Sequence, residues 1–322
     1  LGNHEFDFRP SGLARIIDAA LKKGGTIPQL LLANVAFDPA NPRDDTLAKH
    51  FDLGHIRAYR IFRRNGLRVA VFGLIGNDAA EVAPFARPVT FSDPIKTAKI
   101  LARMLKERER VDVVVALSHS GVRRNKNGSW GGEDVELARA VPEIDVIVSG
   151  HTHVLTPQPI FVNGTPIVQA GEHGQHVGVL ELTITENGVQ VDTFRLIEID
   201  DTIAGDPDIQ AQVEQLKKAV DQKILQPVGY RFDQPLFETS FDVILEQKES
   251  GMGNLITDAM RWGINRADST ANVEIAVEAN GQIRDDFLRG EKGIQLVSDV
   301  YRTAGLGIGV VDDAPGFPMV KV

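Results

Sequence analysis

The sequence predicts an α/β protein with a second unit behind it, and three observations carry that prediction. Continuous apolar runs, "LRVAVFGLIG" (67–76), "VDVVVALSHSG" (111–121) and "EIDVIVSGHTH" (143–153), read as strands buried on both faces. Segments with helical apolar spacing alternate with them. After His153 the texture changes to shorter alternating stretches separated by turn signals.

The elements follow in order. From Ser11 to Lys23, the residues Leu13, Ile16, Ile17, Ala20 and Leu21 recur with helical spacing, with Ser11 placed to cap the start and Gly24 to end it. "PQLLLANV" (28–35) is a further buried strand, and Asp93-Pro94 announces a helix whose stripe is Ile95, Ala98, Leu101 and Leu105. Antiparallel strands are expected through Ile199, with turns at Asn163-Gly164 and Asn187-Gly188. Asp206-Pro207 starts a helix with one narrow stripe (Ile209, Val213, Leu216, Val220), ended by Gln226-Pro227 and Gly229, which reads as a connector. From Val228 a second unit begins, with a helix at 253–266 and a strand "NVEIAV" (272–277) that delivers the polar loop "EANGQIRDD" (278–286). The domains are therefore 1–203, a linker helix at 204–227, and 228–322.

Composition narrows the function. A net charge of −9 disfavours a nucleic-acid surface, which needs clustered Lys and Arg. The absence of cysteine excludes disulfides and thiolate metal sites, so any metal must be held by His, Asn, Asp or Glu. No apolar run approaches the roughly 18–20 residues of a membrane span.

The chemistry-bearing residues sit where ligands bind in open α/β sheets, just beyond the carboxyl ends of strands. His119 follows one strand, and His151 and His153 follow another; their spacing of two lets both imidazoles reach one side of an extended segment. The opening "LGNHEFDFRP" adds Asn3 with a neutral carbonyl oxygen, His4 as a proton-exchanging imidazole, and Asp7 three residues on to orient it. His173 and His176 in "GEHGQH" are assigned to a turn, Trp130 to a loop cover, and His50 and His55 to solvent.

"GNHEFD" (2–7), "LSHSG" (117–121) and "DVIVSGHTH" (145–153), in this order, resemble the calcineurin-like metallophosphoesterases. "ESGMGNLITDAMRW" (249–262) followed by "ANGQIRDD" (279–286) is similar to the branch containing 5'-nucleotidases, UDP-sugar hydrolases and cyclic-nucleotide phosphodiesterases. The resemblance implies a four-layer α/β/β/α catalytic domain followed by a substrate-binding domain. It implies two divalent ions, manganese, zinc or similar. Asn3, His119 and His151 would bind one ion and His153 the other, while His4, partnered by Asp7, would be the catalytic histidine. It implies a small phosphate-ester substrate, with Arg284, Asn280 and Lys248 as substrate-binding residues, and a periplasmic or cell-surface location.

The sequence also departs from the family. The Asp-x-His and Gly-Asp segments that precede Gly-Asn-His in relatives are not found before Leu1, so the chain is expected to begin inside the site, to bind at most one metal well and to be weakly active or inactive. Loss of those strands is expected to leave an unpaired sheet edge. Lys248 stands near the place of a second arginine without its bidentate fork. After Tyr301 the chain reads "RTAGLGIG" (302–309) where relatives carry a base-stacking aromatic, and it ends at Val322 short of the family's usual second domain. Two alternatives follow: the same metal core acting on a sulfur ester or thiosulfate conjugate, or a non-catalytic ligand-binding relative.

Overall fold

The computed structural model describes residues 1–22, 24–185, 188–246 and 248–305. The chain divides into two compact units, Leu1–Ile203 and Ala204–Val322.

The first unit is organised by a six-stranded mixed sheet in the order 160–162, 165–168, 146–149, 113–119, 67–75, 59–64. Its central strands 67–75, 113–119 and 146–149 run parallel, each a β-branched or aliphatic run because both faces are covered over most of its length. The register pairs Ile75 with His119 and Ser118 with Ser149, so three strands release their loops at one edge. That edge carries the candidate site.

Among the described residues, five helices flank the sheet: α1 (Arg9–Lys22), α2 (Asp45–Asp52), α3 (Asn77–Glu81), α4 (Pro94–Glu107) and α5 (Glu133–Ala140). One core joins Phe72, Leu74 and Ile147 to Ala98 and Leu105 of α4 and to Val135 and Leu137 of α5. A second joins Phe6, Leu13, Ile17, Leu32, Leu47 and Ile75. Each large side chain fully buried in this way contributes about 1.5–3 kcal/mol. Gly73 has no alternative in its strand, because a Cβ there would lie 2.3 Å from the Leu31 carbonyl oxygen. A long antiparallel pair, 176–185 with 188–198, closes the unit.

Among the described residues, the second unit contains α6 (Pro207–Val220), α7 (Gly251–Ala267) and α8 (Val297–Thr303), with one short antiparallel pair, 235–238 with 294–296. Its core is small: Met252, Ile283 and Phe287 with Val243, Leu245, Ile256 and Val300 against them. Asp206 caps α6 through the N–H groups of Asp208 and Ile209, yet the stripe residues Ile209 and Leu216 are exposed.

Several expectations are corrected. The first helix starts at Arg9 rather than after Ser11, because the 3₁₀ turn His4–Phe6 feeds it and Pro10 suits its first turn. The strand expected at 272–277 does not form: among the described residues no strand pairs with it, and Ile275 and Val277 are exposed. His50 is buried rather than solvent-facing, and its Nδ1 lies 2.8 Å from His55 Nδ1. The turn residue Asn187 and most of the 302–309 stretch, from Leu306 on, lie outside the described residues.

Candidate active site

The three parallel strand ends deliver three short loops. The loop after Ile75 starts α3 and presents Asp78; the loop after the central strand carries His119, Ser120 and Gly121; the loop after Ser149 carries His151, Thr152 and His153. The 3₁₀ turn following Asn3 brings the N-terminal residues beside them.

Asn3 is buried, and its Oδ1 lies 2.8 Å from His119 Nε2. The imidazoles of His119 and His151 lie with ring centroids 5.0 Å apart. Gly2 makes this approach possible, since a Cβ at that position would lie 2.7 Å from His119 Cε1. Burial, reinforced by the neighbouring His151, pulls the His119 imidazole down to about 4, so its ring is neutral near pH 7 and keeps a lone pair.

Sequence reading missed the carboxylates that meet the histidines. His151 Nε2 lies 3.0 Å from Asp78 Oδ2, across 73 residues of chain. His153 Nδ1 lies 2.5 Å from Glu172 Oε2, and Glu172 also meets His173 at 3.4 Å. The only sequence hint was a polar residue following an apolar run, as in "LIGND" (74–78).

The expectation that His151 and His153 share an extended segment is corrected. Both have left-handed backbone, φ 73° and 57°. Non-glycine residues rarely hold this conformation, which is concentrated at functional sites. Thr152, between them, donates its hydroxyl to the Val122 carbonyl at 2.9 Å and accepts the Val122 N–H at 3.2 Å. Gln169, with its amide turned to suit both sides, accepts the His153 and Val154 N–H groups at 3.1 Å each.

His4 is an exposed side chain that lines the same cavity as His119, and its Nδ1 lies 2.9 Å from Asp7 Oδ2. The structure therefore joins His4 to Asp7 and brings Asn3, His119 and His151 together. His153 lies against Glu172. In the second unit, Asn280 Nδ2 donates to the Glu246 carbonyl at 3.0 Å and Lys248 pairs with the Glu246 carboxylate at 3.0 Å. Arg284 Nη1 turns back to the Gly281 carbonyl at 3.1 Å.

Among the described residues, no three His, Asp or Glu side chains are arranged to hold a metal ion. The donor chemistry nevertheless fits one: an amide oxygen, a neutral half-buried imidazole and a second imidazole lie side by side, a mixed N/O set suited to borderline divalent ions. Among the described residues, no helix is long and apolar enough to cross a membrane.

Residues 1–155 match the family of calcineurin-like phosphoesterases. The chain is 29% identical over 90% of its length to the trifunctional nucleotide phosphoesterase protein YfkN of Bacillus subtilis, covering 20% of that protein. It is 30% identical over 62% of its length to a 5'-nucleotidase of Vibrio cholerae, covering 37% of it. The solved structure of a 5'-nucleotidase precursor from Thermus thermophilus superposes with a TM-score of 0.69 at 29% identity, over 94% of this chain and 57% of that one. The chain thus spans well under half the length of these two curated relatives.

Proposed function

We propose that the chain, whose residues 1–155 match the calcineurin-like phosphoesterase family, is a metal-dependent hydrolase of phosphate esters, with nucleotides as the substrate class. The single observation that carries this reading is the juxtaposition of Asn3, His119 and His151 at the parallel strand ends.

Asn3, His119 and His151 would hold one divalent ion, manganese, zinc or a similar cation, and His153 would serve a second. A bound ion of this kind lowers the pKa of water and neutralises charge on phosphoryl oxygens. His4 supplies the proton chemistry. Its Nδ1 is held by Asp7, which fixes the tautomer and leaves Nε2 as the nitrogen that exchanges a proton with the leaving oxygen. In the second unit, Arg284, Asn280 and Lys248 would hold the substrate, with Arg284 offering a planar fork to phosphate.

Nucleotide relatives support the substrate class, and a periplasmic or cell-surface location follows from the same resemblance. No feature of the site favours a sulfur ester. The test is phosphate release from a nucleoside monophosphate, a nucleotide sugar and a cyclic nucleotide, each with Mn²⁺, compared between wild type and His4→Ala. Release that His4→Ala abolishes supports the reading. No release from any substrate, with Mn²⁺ bound, favours a ligand-binding relative.

A further inference from the structure

Beneath the histidine loops, α5 begins with two carboxylates that the proposed chemistry does not use. Asp134 is fully buried. Its Oδ2 accepts the Gly121 N–H at 3.0 Å, two residues beyond His119. The same oxygen accepts the Ser149 hydroxyl at 2.6 Å, two residues before His151. Ser149 in turn accepts from Gln169, the residue that holds the His153 N–H. One side chain therefore ties the His119 loop to the His151–His153 loop. The other oxygen, Oδ1, is buried and meets no hydrogen-bond partner of good geometry among the described residues, with the Ser118 side chain nearby. Leaving a buried carboxylate oxygen unmatched is destabilising, so this residue is a poor choice for stability alone.

The adjacent Glu133 acts on the third loop. Its two oxygens accept the Asn77 N–H at 2.8 Å and the Asp78 N–H at 2.9 Å. That fixes the start of α3, from which Asp78 meets His151. The backbone around both carboxylates leaves no slack. A Cβ at Gly76 would lie 2.6 Å from Glu133 Oε2, one at Gly121 would lie 2.2 Å from Thr152 Cγ2, and one at Gly132 would lie 2.8 Å from the Gly121 carbonyl. Gly121 and Gly132 also hold φ of +94° and +105°, which other residues rarely adopt.

We propose that Glu133 and Asp134 form a positioning element: Asp134 sets the separation of the His119 and His151 loops, and Glu133 sets Asp78 against His151. The consequence for metal affinity rests on the phosphoesterase reading; the clamp itself does not. Partners of this kind, one shell behind the ligands, change metal affinity by about 10–100-fold when removed.

The experiment compares wild type with Asp134→Ala, Asp134→Asn, Glu133→Gln and Val135→Ala, the last removing buried core volume from α5 while leaving both carboxylates in place. Backbone amide exchange is read at Asn77, Asp78 and residues 150–154, and Mn²⁺ affinity is read by titration. Asp134→Ala should speed exchange at 150–154 and weaken Mn²⁺ binding by about tenfold or more beyond Val135→Ala. Asp134→Asn, which keeps the shape and one acceptor, should recover part of both and covers the case in which the alanine variant does not fold. Glu133→Gln should loosen Asn77 and Asp78 selectively. Exchange at 150–154 no faster in the Asp134 variants than in Val135→Ala would overturn the clamp, and faster exchange with unchanged Mn²⁺ affinity would overturn its role in ligand positioning. A wild type that binds no Mn²⁺ and releases no phosphate would remove the phosphoesterase reading, while the exchange pattern would still decide the clamp.

Discussion

Thr152 and Val122 exchange two hydrogen bonds, the Thr152 hydroxyl donating to the Val122 carbonyl and accepting its N–H. The residue between two candidate ligands is thereby fastened to the segment that leaves His119. Thr152→Val keeps the branched shape and removes both bonds, and should lower stability by about 1–3 kcal/mol. Thr152→Ser, which retains the hydroxyl, should recover most of that loss in urea unfolding.

His4 is paired with Asp7, whereas Asn3 is paired with His119. His4→Ala should therefore lower turnover by on the order of 10²–10⁴ while leaving bound metal unchanged. Elemental analysis decides the point, because a parallel loss of metal would make His4 a ligand.

The contact between Gly2 and the His119 ring is close enough to be tested by one methyl group. With a Cβ placed 2.7 Å from His119 Cε1, Gly2→Ala must displace the imidazole. Mn²⁺ affinity should fall by about tenfold. The urea midpoint should stay near that of wild type, because the ring is only half-buried.

Asp134 gives a pH dependence with a definite sign. Burial pushes its carboxyl from 3.8 up to about 6, against hydrogen bonds that pull it down. The unfolded chain releases this proton first, so the folded state loses stability as pH rises from about 4 to about 6 and then levels off. The stability difference between wild type and Asp134→Asn should shift in favour of the variant by on the order of 3 kcal/mol across that window. A difference independent of pH would show that Asp134 titrates alike in both states.

Much of this was legible in the sequence because it is written in contiguous residues. The apolar runs ending at His119 and Ser149 specify both the strands and the side on which their loops emerge. The pairing of His4 with Asp7 is a local spacing of three. What could not be read is what folding assembles across distance: Asp78 with His151, Glu172 with His153, and the Asp134 bridge from α5 to two loops. A Gly-Gly pair before two acids at the start of a helix (131–134) was a visible signal. The strand expected at 272–277 shows the reverse failure, since an apolar run becomes a strand only where a neighbour accepts its hydrogen bonds.

The most direct test of the account is a Mn²⁺ titration of the wild-type chain against His119→Ala, followed by calorimetry. The account predicts at least one ion bound by the wild type and a large loss of affinity in His119→Ala. A wild type that binds no ion, or a variant that binds as tightly, would contradict the assignment of Asn3, His119 and His151 as a metal site.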